Sequence, residues 1–317
     1  MYTRHCTPDT KFLHYTLYTR IVKRFLLDIG LFAVVALAFF GALEWVAESI
    51  PNSYTYKREY MEQQGGEIKT LILGSSNAYD GLNPSVIPHA FNLSNSSQTL
   101  EDDYRLLAKY IDSMDSLQTV IVGLSYAALG ATTEANRRTY YTIYMDLYPR
   151  WPLSKYSFEV CNLETLVKKI IKYAVSRDVT RCDSLGQRVG HTREAAQSGA
   201  EWWNKDVLSL VDNDRLDIGH CRLEIEENTR YLHDIVRLCN AHNVQLVIVL
   251  MPVMKEYKKM LPVEQVELME EVLQSLDSSA ICVEASEWEI PEDGWYNATH
   301  LTKEASEEFT RKLINDR

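Results

Sequence analysis

The chain has 317 residues, 46% hydrophobic and 24% charged, which is ordinary for a globular protein able to bury one large core or two smaller ones. Its formal net charge of -11 argues against a nucleic-acid partner, because such a partner requires a basic surface. None of the six cysteines lies in a Cys-x-x-Cys pair, and no cysteine–histidine cluster has the spacing of zinc ligands. We therefore expect no metal site.

An apolar segment near the N-terminus predicts a membrane-spanning helix. Residues 29–47 contain one charged side chain, Glu44, and as a helix they extend about 28 Å, close to the thickness of a bilayer's hydrocarbon core. A cleaved signal peptide is the alternative, but the apolar run is long for one and no clean Ala-x-Ala site follows. The preceding segment is basic, through Arg4, Lys11, Arg20, Lys23 and Arg24. The positive-inside rule leaves that end in the cytoplasm.

These signals divide the chain into four parts. We expect a cytoplasmic lead at 1–24, a single-pass anchor at 25–50 in an inner or plasma membrane, and a polar stem or linker at 51–68 that ends in two glycines. A globular domain follows at 69–317, on the extracytoplasmic (periplasmic) side. Its residues 126–220 are rich in aromatic side chains and read as an insertion over the sheet edge.

Strands and helices alternate in the rest of the domain. Short apolar runs predict strands at 69–74, 90–94, 118–124, 245–251 and 280–284. Apolar side chains spaced three and four apart predict helices at 98–114, 223–241, 263–276 and 302–314. Such alternation is typical of an α/β protein, a three-layer sandwich with a mostly parallel sheet.

Two polar groups at distant points of the chain are candidates for nucleophilic chemistry. The first predicted strand ends at Gly74, Ser75 and Ser76, and a serine at such a turn becomes a nucleophile if a base reaches it. The candidate base is His300, in a short loop before the last helix. In a parallel sheet both loops can lie at the carboxyl edge, where α/β proteins keep their sites.

Three segments resemble motifs of the SGNH (GDSL-type) hydrolase superfamily: GSSNAYDGLNP, FNLSNSSQT and NATHLTKEAS. The closer likeness is to its membrane-anchored branch, such as the D-alanine transfer protein of teichoic acid and the alginate O-acetylation proteins. The resemblance covers residues 69 to about 125 and 223–317, and it implies a flavodoxin-like SGNH fold and acyl-ester chemistry without a cofactor. It makes Ser76 the nucleophile, His300 the base, and the backbone N–H groups of Ser76 and Ser97 the oxyanion donors.

The chain departs from that family at the acid that orients the histidine. Asn297 stands in its place, and an amide can hold the imidazole but cannot stabilise the imidazolium by charge. Three interpretations stay open. Ser76 and His300 form a dyad oriented by Asn297, or another carboxylate, Asp293 or Asp80, replaces the acid, or the site is inactive and only binds.

The expected function is that of a membrane-anchored serine esterase or O-acyltransferase acting on a cell-envelope glycan. Its partners are then an acylated glycan or acyl donor, the membrane, and a membrane-bound acyltransferase. The alternative is a catalytically inactive SGNH-like component that binds or scaffolds in a complex for polysaccharide modification or export.

Overall fold

The computed structural model describes residues 8–133, 135–177, 180–196 and 200–315. Its first element is a helix, α1 (Pro8–Glu48), of which Tyr18–Glu48 is long and apolar enough to cross a membrane. The apolar side chains along this stretch are largely exposed, as the hydrocarbon of a bilayer requires. The helix begins well before the expected anchor at 25–50, so much of the predicted lead is helical too. The side of the membrane on which the domain lies stays a prediction.

The segment 51–68, expected as a stem or linker, instead forms a helix packed on the domain. Helix α2 (Ser53–Gln64) begins after Asn52, whose side-chain oxygen accepts hydrogen bonds from the first turn. Tyr54, Lys57 and Met61 are all buried. Their spacing of three and four residues puts them on one helix face, so the segment is ordered by burial of that face despite its polar composition.

The remaining elements alternate as the sequence predicts, and the five main strands lie within one or two residues of their expected bounds. In chain order they are β1 (Thr70–Gly74), α3 (Ser76–Gly81), β2 (Ala90–Asn92), α4 (Leu100–Tyr110), β3 (Thr119–Leu124), α5 (Ala135–Ile143), α6 (Leu163–Ser176), α7 (Ala200–Asp214), α8 (Arg222–Ala241), β4 (Gln245–Leu250), α9 (Lys255–Met260), α10 (Val263–Gln274), β5 (Ile281–Glu284), β6 (Trp295–Asn297), β7 (His300–Leu301) and α11 (Lys303–Asn315).

Strands β1 to β5 form one sheet in the order β2-β1-β3-β4-β5, and every neighbouring pair is parallel. The expected α/β class and parallel sheet are therefore confirmed. Gly74 pairs with Gly123, and Leu124 pairs with Leu250, so the carboxyl ends of these strands meet at one edge. The direction of strand order reverses between β1 and β3. In doubly wound sheets the loops diverge at such a switch point and leave a crevice.

Helices cover both faces of this sheet. Leu71 and Leu73 of β1 face a core that includes apolar side chains of α4 and α8, whereas Ile72 faces a core built from α3 and α11. This alternation follows from the two-residue period of a strand. Apolar side chains on both faces explain why the strands read as continuous hydrophobic runs.

Residues 126–220, expected as an insertion, contact both the main core and the end of α1. Their tyrosines 141, 144 and 148 are buried in the main core. The Glu44 carboxylate, near the end of α1, accepts hydrogen bonds from the backbone N–H groups of Glu159 and Val160. The Lys169 ammonium donates to the Ala47 carbonyl at 2.8 Å. Helix α1 and the domain therefore meet in a packed junction.

Candidate active site

The turn after β1 is shaped by a glycine that no other residue can replace without strain. Gly74 has φ +128, and a Cβ there would lie 2.4 Å from the Gly123 carbonyl oxygen of the neighbouring strand. Ser75 is the extended N-cap residue of α3, and Ser76 is the first residue of that helix. Both serines are half-buried at the edge of the sheet beside the β1/β3 crevice.

A buried carboxylate ties this turn to the segment after β2. Asp103 Oδ1 accepts hydrogen bonds from the Gly74 N–H at 2.9 Å and from Gln98 Nε2 at 2.6 Å. Burial raises the pKa of Asp103 to about 7, against the opposing effect of the Gln98 hydrogen bond. The segment 94–98 is thereby held next to the serine turn.

Ser97, a candidate oxyanion donor, lies in this second segment with a strained backbone. Its φ of +55 is in the left-handed region, which costs a non-glycine residue on the order of 1 kcal/mol. Such strain persists where the surrounding structure fixes it, and it is frequent at functional sites. The Ser97 position is thus held in a conformation that a glycine would adopt freely.

Asn297 orients His300 from one side of the ring. The Asn297 Oδ1 atom accepts the backbone N–H groups of Thr299 and His300 and lies 2.8 Å from His300 Nδ1. An amide oxygen only accepts hydrogen bonds, so Nδ1 carries the hydrogen in this tautomer and Nε2 keeps its lone pair. Asn297 therefore contacts the ring nitrogen at which an orienting group acts, as one of the three interpretations of the sequence requires.

Helix α3 and strand β7 bring the two candidate catalytic residues onto facing elements. Asn77 Nδ2, next to Ser76, donates to the Thr299 carbonyl at 2.7 Å. His300 Nε2 lies 3.7 Å from Asp80 Oδ2, and Asp80 shares one face of α3 with Ser76 because the two are four residues apart. In the described part of the chain the Ser76 hydroxyl makes no hydrogen bond, so it is not hydrogen-bonded to the His300 imidazole.

Asp80 is the centre of a buried charged cluster. Its Oδ2 atom lies 3.1 Å from Arg188 Nη1 and 3.3 Å from His191 Nδ1. Arg188 also bonds the Ser96 hydroxyl through Nη2. His191 stacks on Tyr296, with ring centroids 3.7 Å apart. Asp80 thus lies beside Nε2 of His300, on the opposite side of the ring from Asn297.

Burial controls the protonation of His300. It lowers the pKa of His300 to about 4, the positive charges of Arg188 and His191 lower it as well, and Asp80 acts in the opposite direction. The imidazole is therefore neutral near pH 7 and able to accept a proton. A base with so low a pKa is weak, which makes the charge of Asp80 important when the imidazolium forms.

The other candidate acid, Asp293, is directed elsewhere. It is exposed, and its carboxylate lies 3.3 Å from Arg193 Nε. Among the ion pairs of the described residues, Asp293 is not paired with His300. The structure therefore brings Asn297 and Asp80 to His300 and leaves Asp293 at the surface. Ser76 and Ser97 are adjacent in sequence to Asn77 and Ser96, which contact this region.

Three residues at the site had no functional assignment from the sequence. Arg188 and His191 come from the insertion, where no motif marks them. Lys57 lies in α2, where its Nζ atom donates to the Ser94 carbonyl and lies 4.2 Å from the Tyr79 ring centre. Burial lowers the pKa of Lys57 to about 7. The helical spacing of Tyr54, Lys57 and Met61 was the available signal for a buried lysine.

No group of three or more His, Cys, Asp or Glu side chains could hold a metal ion within the described residues. The polar contacts around His300 are instead hydrogen bonds and ion pairs between side chains. The chemistry that these residues can supply is proton transfer and charge stabilisation.

Comparison with known proteins leaves the family open. No protein-family model matches the chain, and a search of curated proteins finds no match. One solved structure with a loose likeness is a protein from Streptococcus pneumonia provisionally described as a platelet activating factor. It is 8% identical, with a TM-score of 0.39, over 90% of this chain and 98% of that chain. A likeness at this level carries no argument about fold or activity.

Proposed function

We propose that the protein is a membrane-anchored serine esterase or O-acyltransferase of the SGNH type, acting on a cell-envelope glycan. One observation carries the proposal. Asn297 holds His300 at Nδ1, and Nε2 lies 3.7 Å from Asp80 Oδ2, one helical turn along α3 from Ser76. This is the arrangement in which a base can take the proton of a serine hydroxyl.

The strand order supports the finer description of the fold. The order β2-β1-β3-β4-β5 is that of the flavodoxin-like group of doubly wound sheets. With helices on both faces, it fits the three-layer sandwich of SGNH proteins. The proposed site then lies at the β1/β3 switch point, where ligands bind in such sheets.

The reaction begins when Ser76 Oγ attacks the ester carbonyl and passes its proton to His300 Nε2. The oxyanion of the tetrahedral intermediate accepts hydrogen bonds from the backbone N–H groups of Ser76 and Ser97. When the intermediate collapses, His300 returns the proton to the leaving alcohol and the acyl group remains on Ser76. Water or a sugar hydroxyl then releases it, which makes the protein an esterase or a transferase.

Bound substrate is proposed to bring the Ser76 hydroxyl to Nε2, because the two atoms form no hydrogen bond in the described structure. Catalytic hydrogen bonds often tighten only in the complex. Asp80 stabilises the imidazolium by its charge, which the neutral Asn297 cannot do, and Arg188 holds Asp80 in position. Orientation and charge, both supplied by one aspartate in a triad, are thereby divided between Asn297 and Asp80.

The membrane helix and the composition define the proposed setting. The protein is inserted once in an inner or plasma membrane with its domain on the extracytoplasmic side. Its substrate is an acylated glycan or an acyl donor, and a membrane-bound acyltransferase is the proposed partner. The orientation follows from basic residues before the span, such as Arg20, Lys23 and Arg24.

Fluorophosphonate labelling of the full-length protein tests the nucleophile. The wild type is expected to be labelled, and Ser76→Ala to lose the label, because only an activated serine reacts at an appreciable rate. Ser75→Ala is the matched control, since it removes the neighbouring hydroxyl and should keep the label. Undiminished labelling of Ser76→Ala, or an unlabelled wild type, would reject Ser76 as the nucleophile.

A non-catalytic role in a polysaccharide modification or export complex is the second candidate. It is favoured by the Ser76 hydroxyl, which has no hydrogen-bond partner in the described structure, and by the Asp80 carboxylate beside Nε2. If this candidate is right, the fluorophosphonate probe does not label the wild type. The Asp80→Asn variant then still folds, and it binds the glycan as the wild type does. Loss of both labelling and ester turnover in Asp80→Asn would favour the enzyme instead.

A further inference from the structure

A basic cavity lies beside the end of the membrane helix. Its volume is about 390 Å³, and it is bounded by the start of α2, by α5 and α6, and by the segment after β2. Five of its lining side chains are cationic: Arg137, Lys168, Lys169, Lys172 and Arg181. No carboxylate is among the described residues that line it. In a chain with a net charge of -11, such a concentration of positive charge requires an explanation.

Internal ion pairs neutralise only part of this charge. Lys169 is paired with the buried Glu159 at 2.7 Å, and Lys168 is paired with Glu164 at the surface. Lys172 and Arg181 are exposed, and neither forms an ion pair within the described ranges of the chain. Their charges remain available to an anion in the cavity.

A buried hydrogen-bond donor in the same wall points to a ligand independently of the charges. Asn95 is only 3% exposed, and its Nδ2 atom has no hydrogen-bond partner in the described structure. A buried polar group left unpaired costs on the order of 1–3 kcal/mol, so such groups are normally satisfied. An acceptor oxygen bound in the cavity would satisfy this donor.

We propose that the cavity binds the phosphate group of an anionic phosphate ester. A phosphate offers several acceptor oxygens and a negative charge, which fit an arginine, lysines and an amide N–H together. The nearest source is a lipid headgroup. Lys169 donates to the carbonyl of Ala47, in the last turn of the helix that is apolar enough to cross a membrane, so the cavity is placed for the headgroup level.

The cavity also adjoins the candidate active site. Ser96 lines it and bonds Arg188, the arginine that holds Asp80, and Tyr79 of α3 lies in its wall. A phosphate bound there would sit next to the charged cluster around His300 without touching Ser76. The proposed binding does not depend on turnover, and it can be measured whether or not the protein is an enzyme.

The test is a titration of the full-length protein in neutral detergent with three probes: a short-chain phosphatidylglycerol, a short-chain diacylglycerol of equal acyl length, and inorganic phosphate. We expect phosphatidylglycerol to bind and diacylglycerol not to bind. Tighter binding of phosphatidylglycerol than of inorganic phosphate supports a lipid source. Equal binding of the two supports the phosphate site with a soluble source.

Charge reversal at exposed residues identifies the site. Lys172→Glu with Arg181→Glu should weaken phosphatidylglycerol binding by about tenfold or more, because charge-assisted contacts are lost and repulsion is added. Arg230→Glu with Lys259→Glu is the matched control, since it changes the net charge equally on surface helices that do not line the cavity. Absence of binding to both phosphate probes, or an equal loss in the two double variants, overturns the proposal.

A third variant tests the buried donor. Asn95→Leu has a similar volume and lacks the N–H groups, so it should weaken phosphatidylglycerol binding by several-fold while keeping the wild-type unfolding temperature within a few degrees. Unchanged binding by this variant would remove Asn95 from the site. Lys172 and Arg181 are exposed, so the result of the charge-reversal variant stands even if Asn95→Leu folds poorly.

Discussion

The imidazole of His300 has two polar neighbours with different physical roles. Asn297 fixes the ring through Nδ1 at 2.8 Å and thereby sets the tautomer. Asp80 lies 3.7 Å from Nε2 and acts through its charge, which favours the protonated ring. Burial and the positive charge of Arg188 outweigh that effect, so the ring is neutral over most of the pH range.

The opposite environments of two histidines predict opposite titrations. His300 should titrate near pH 4, whereas His242 should titrate above its ordinary value of 6.5, because the Leu238 carbonyl and Asp112 accept hydrogen bonds from its charged form. An NMR titration of the imidazole signals, assigned with His300→Gln and His242→Gln, measures both. A His300 that is protonated at pH 6 would contradict the described burial.

The lowered pKa of His300 makes the stability of the folded protein depend on pH. As the pH falls below 6.5, the unfolded chain protonates this histidine before the folded protein does. The contribution of His300 to stability is therefore complete above pH 6.5 and decreases as the pH falls to about 4. The total loss is roughly 3 kcal/mol at most, since one pKa unit corresponds to about 1.4 kcal/mol. Urea unfolding of the wild type and His300→Gln across this range isolates the difference.

At the scale of elements, Asp103 of α4 connects the turn after β1 with the segment after β2. Its Oδ1 atom accepts from both Gly74 and Gln98, and Gln98 in turn accepts the Tyr141 hydroxyl at 2.7 Å. A single buried side chain thus positions the backbone on which both predicted oxyanion donors lie. Without it, the serine turn and the second segment lose their common support.

Substitution of Asp103 should separate the hydrogen bonds from the charge. Asp103→Ala leaves the Gly74 and Gln98 donors buried and unpaired, and it opens a small cavity, so we expect a loss of about 3 kcal/mol in the free energy of unfolding. Asp103→Asn keeps an acceptor oxygen and should cost less, about 1 kcal/mol. Urea unfolding measures both.

Two comparisons sharpen this prediction. Asp115→Ala, an exposed substitution nearby, should change stability by no more than about 0.5 kcal/mol. Since burial raises the pKa of Asp103 to about 7, the contribution of Asp103 to the stability of the wild type should decline as the pH rises from about 4 to 7, because the unfolded chain ionises first. That component should vanish in Asp103→Asn. If Asp103→Ala and Asp103→Asn lose the same free energy of unfolding, the hydrogen bonds of Asp103 do not account for its contribution to stability.

Across the whole molecule, the apolar N-terminal helix α1 packs against the domain. The Lys169 ammonium binds the Ala47 carbonyl, the Tyr144 hydroxyl and the Glu159 carboxylate at 2.6–2.8 Å. Glu44 of the same helix caps the backbone at Glu159. This junction fixes the position of the apolar helix relative to both the basic cavity and the candidate site.

Removing the charge of Lys169 should destabilise the junction. Lys169→Met leaves Glu159 buried without its partner, which costs about 3–5 kcal/mol for such a pair. The double variant with Glu159→Gln should recover most of that loss, because no buried charge remains. Unfolding of the full-length chain in detergent measures both.

The adjacent lysine provides the control for this prediction. Lys168→Met breaks a surface pair with Glu164, whose side chains are 74% and 79% exposed, and should cost no more than about 0.5 kcal/mol. A similar cost for Lys168→Met and Lys169→Met, or no recovery in the double variant, would show that the buried pair does not hold the junction.

Local sequence patterns are sufficient to predict the secondary-structure elements of this protein and part of its candidate site. Apolar runs and helical spacing predict the strands, the helices and the apolar N-terminal helix, because burial requires those periods wherever the element lies. The small-residue turn before Ser76 and the three-residue spacing of Asn297 and His300 are also local. Even so, polar composition concealed the buried face of α2, with Lys57 in its centre.

The side chains that surround the candidate site come from distant parts of the chain, and local patterns do not predict their contacts. Asp80 and Arg188 are 108 residues apart, and Asn77 and Thr299 are 222 apart. No period of a helix or strand relates residues so separated, and their contact follows from how the parallel sheet brings its loops to one edge. The placement of Asp80 beside Nε2 and the basic cavity beside the membrane helix therefore belong to the folded chain alone.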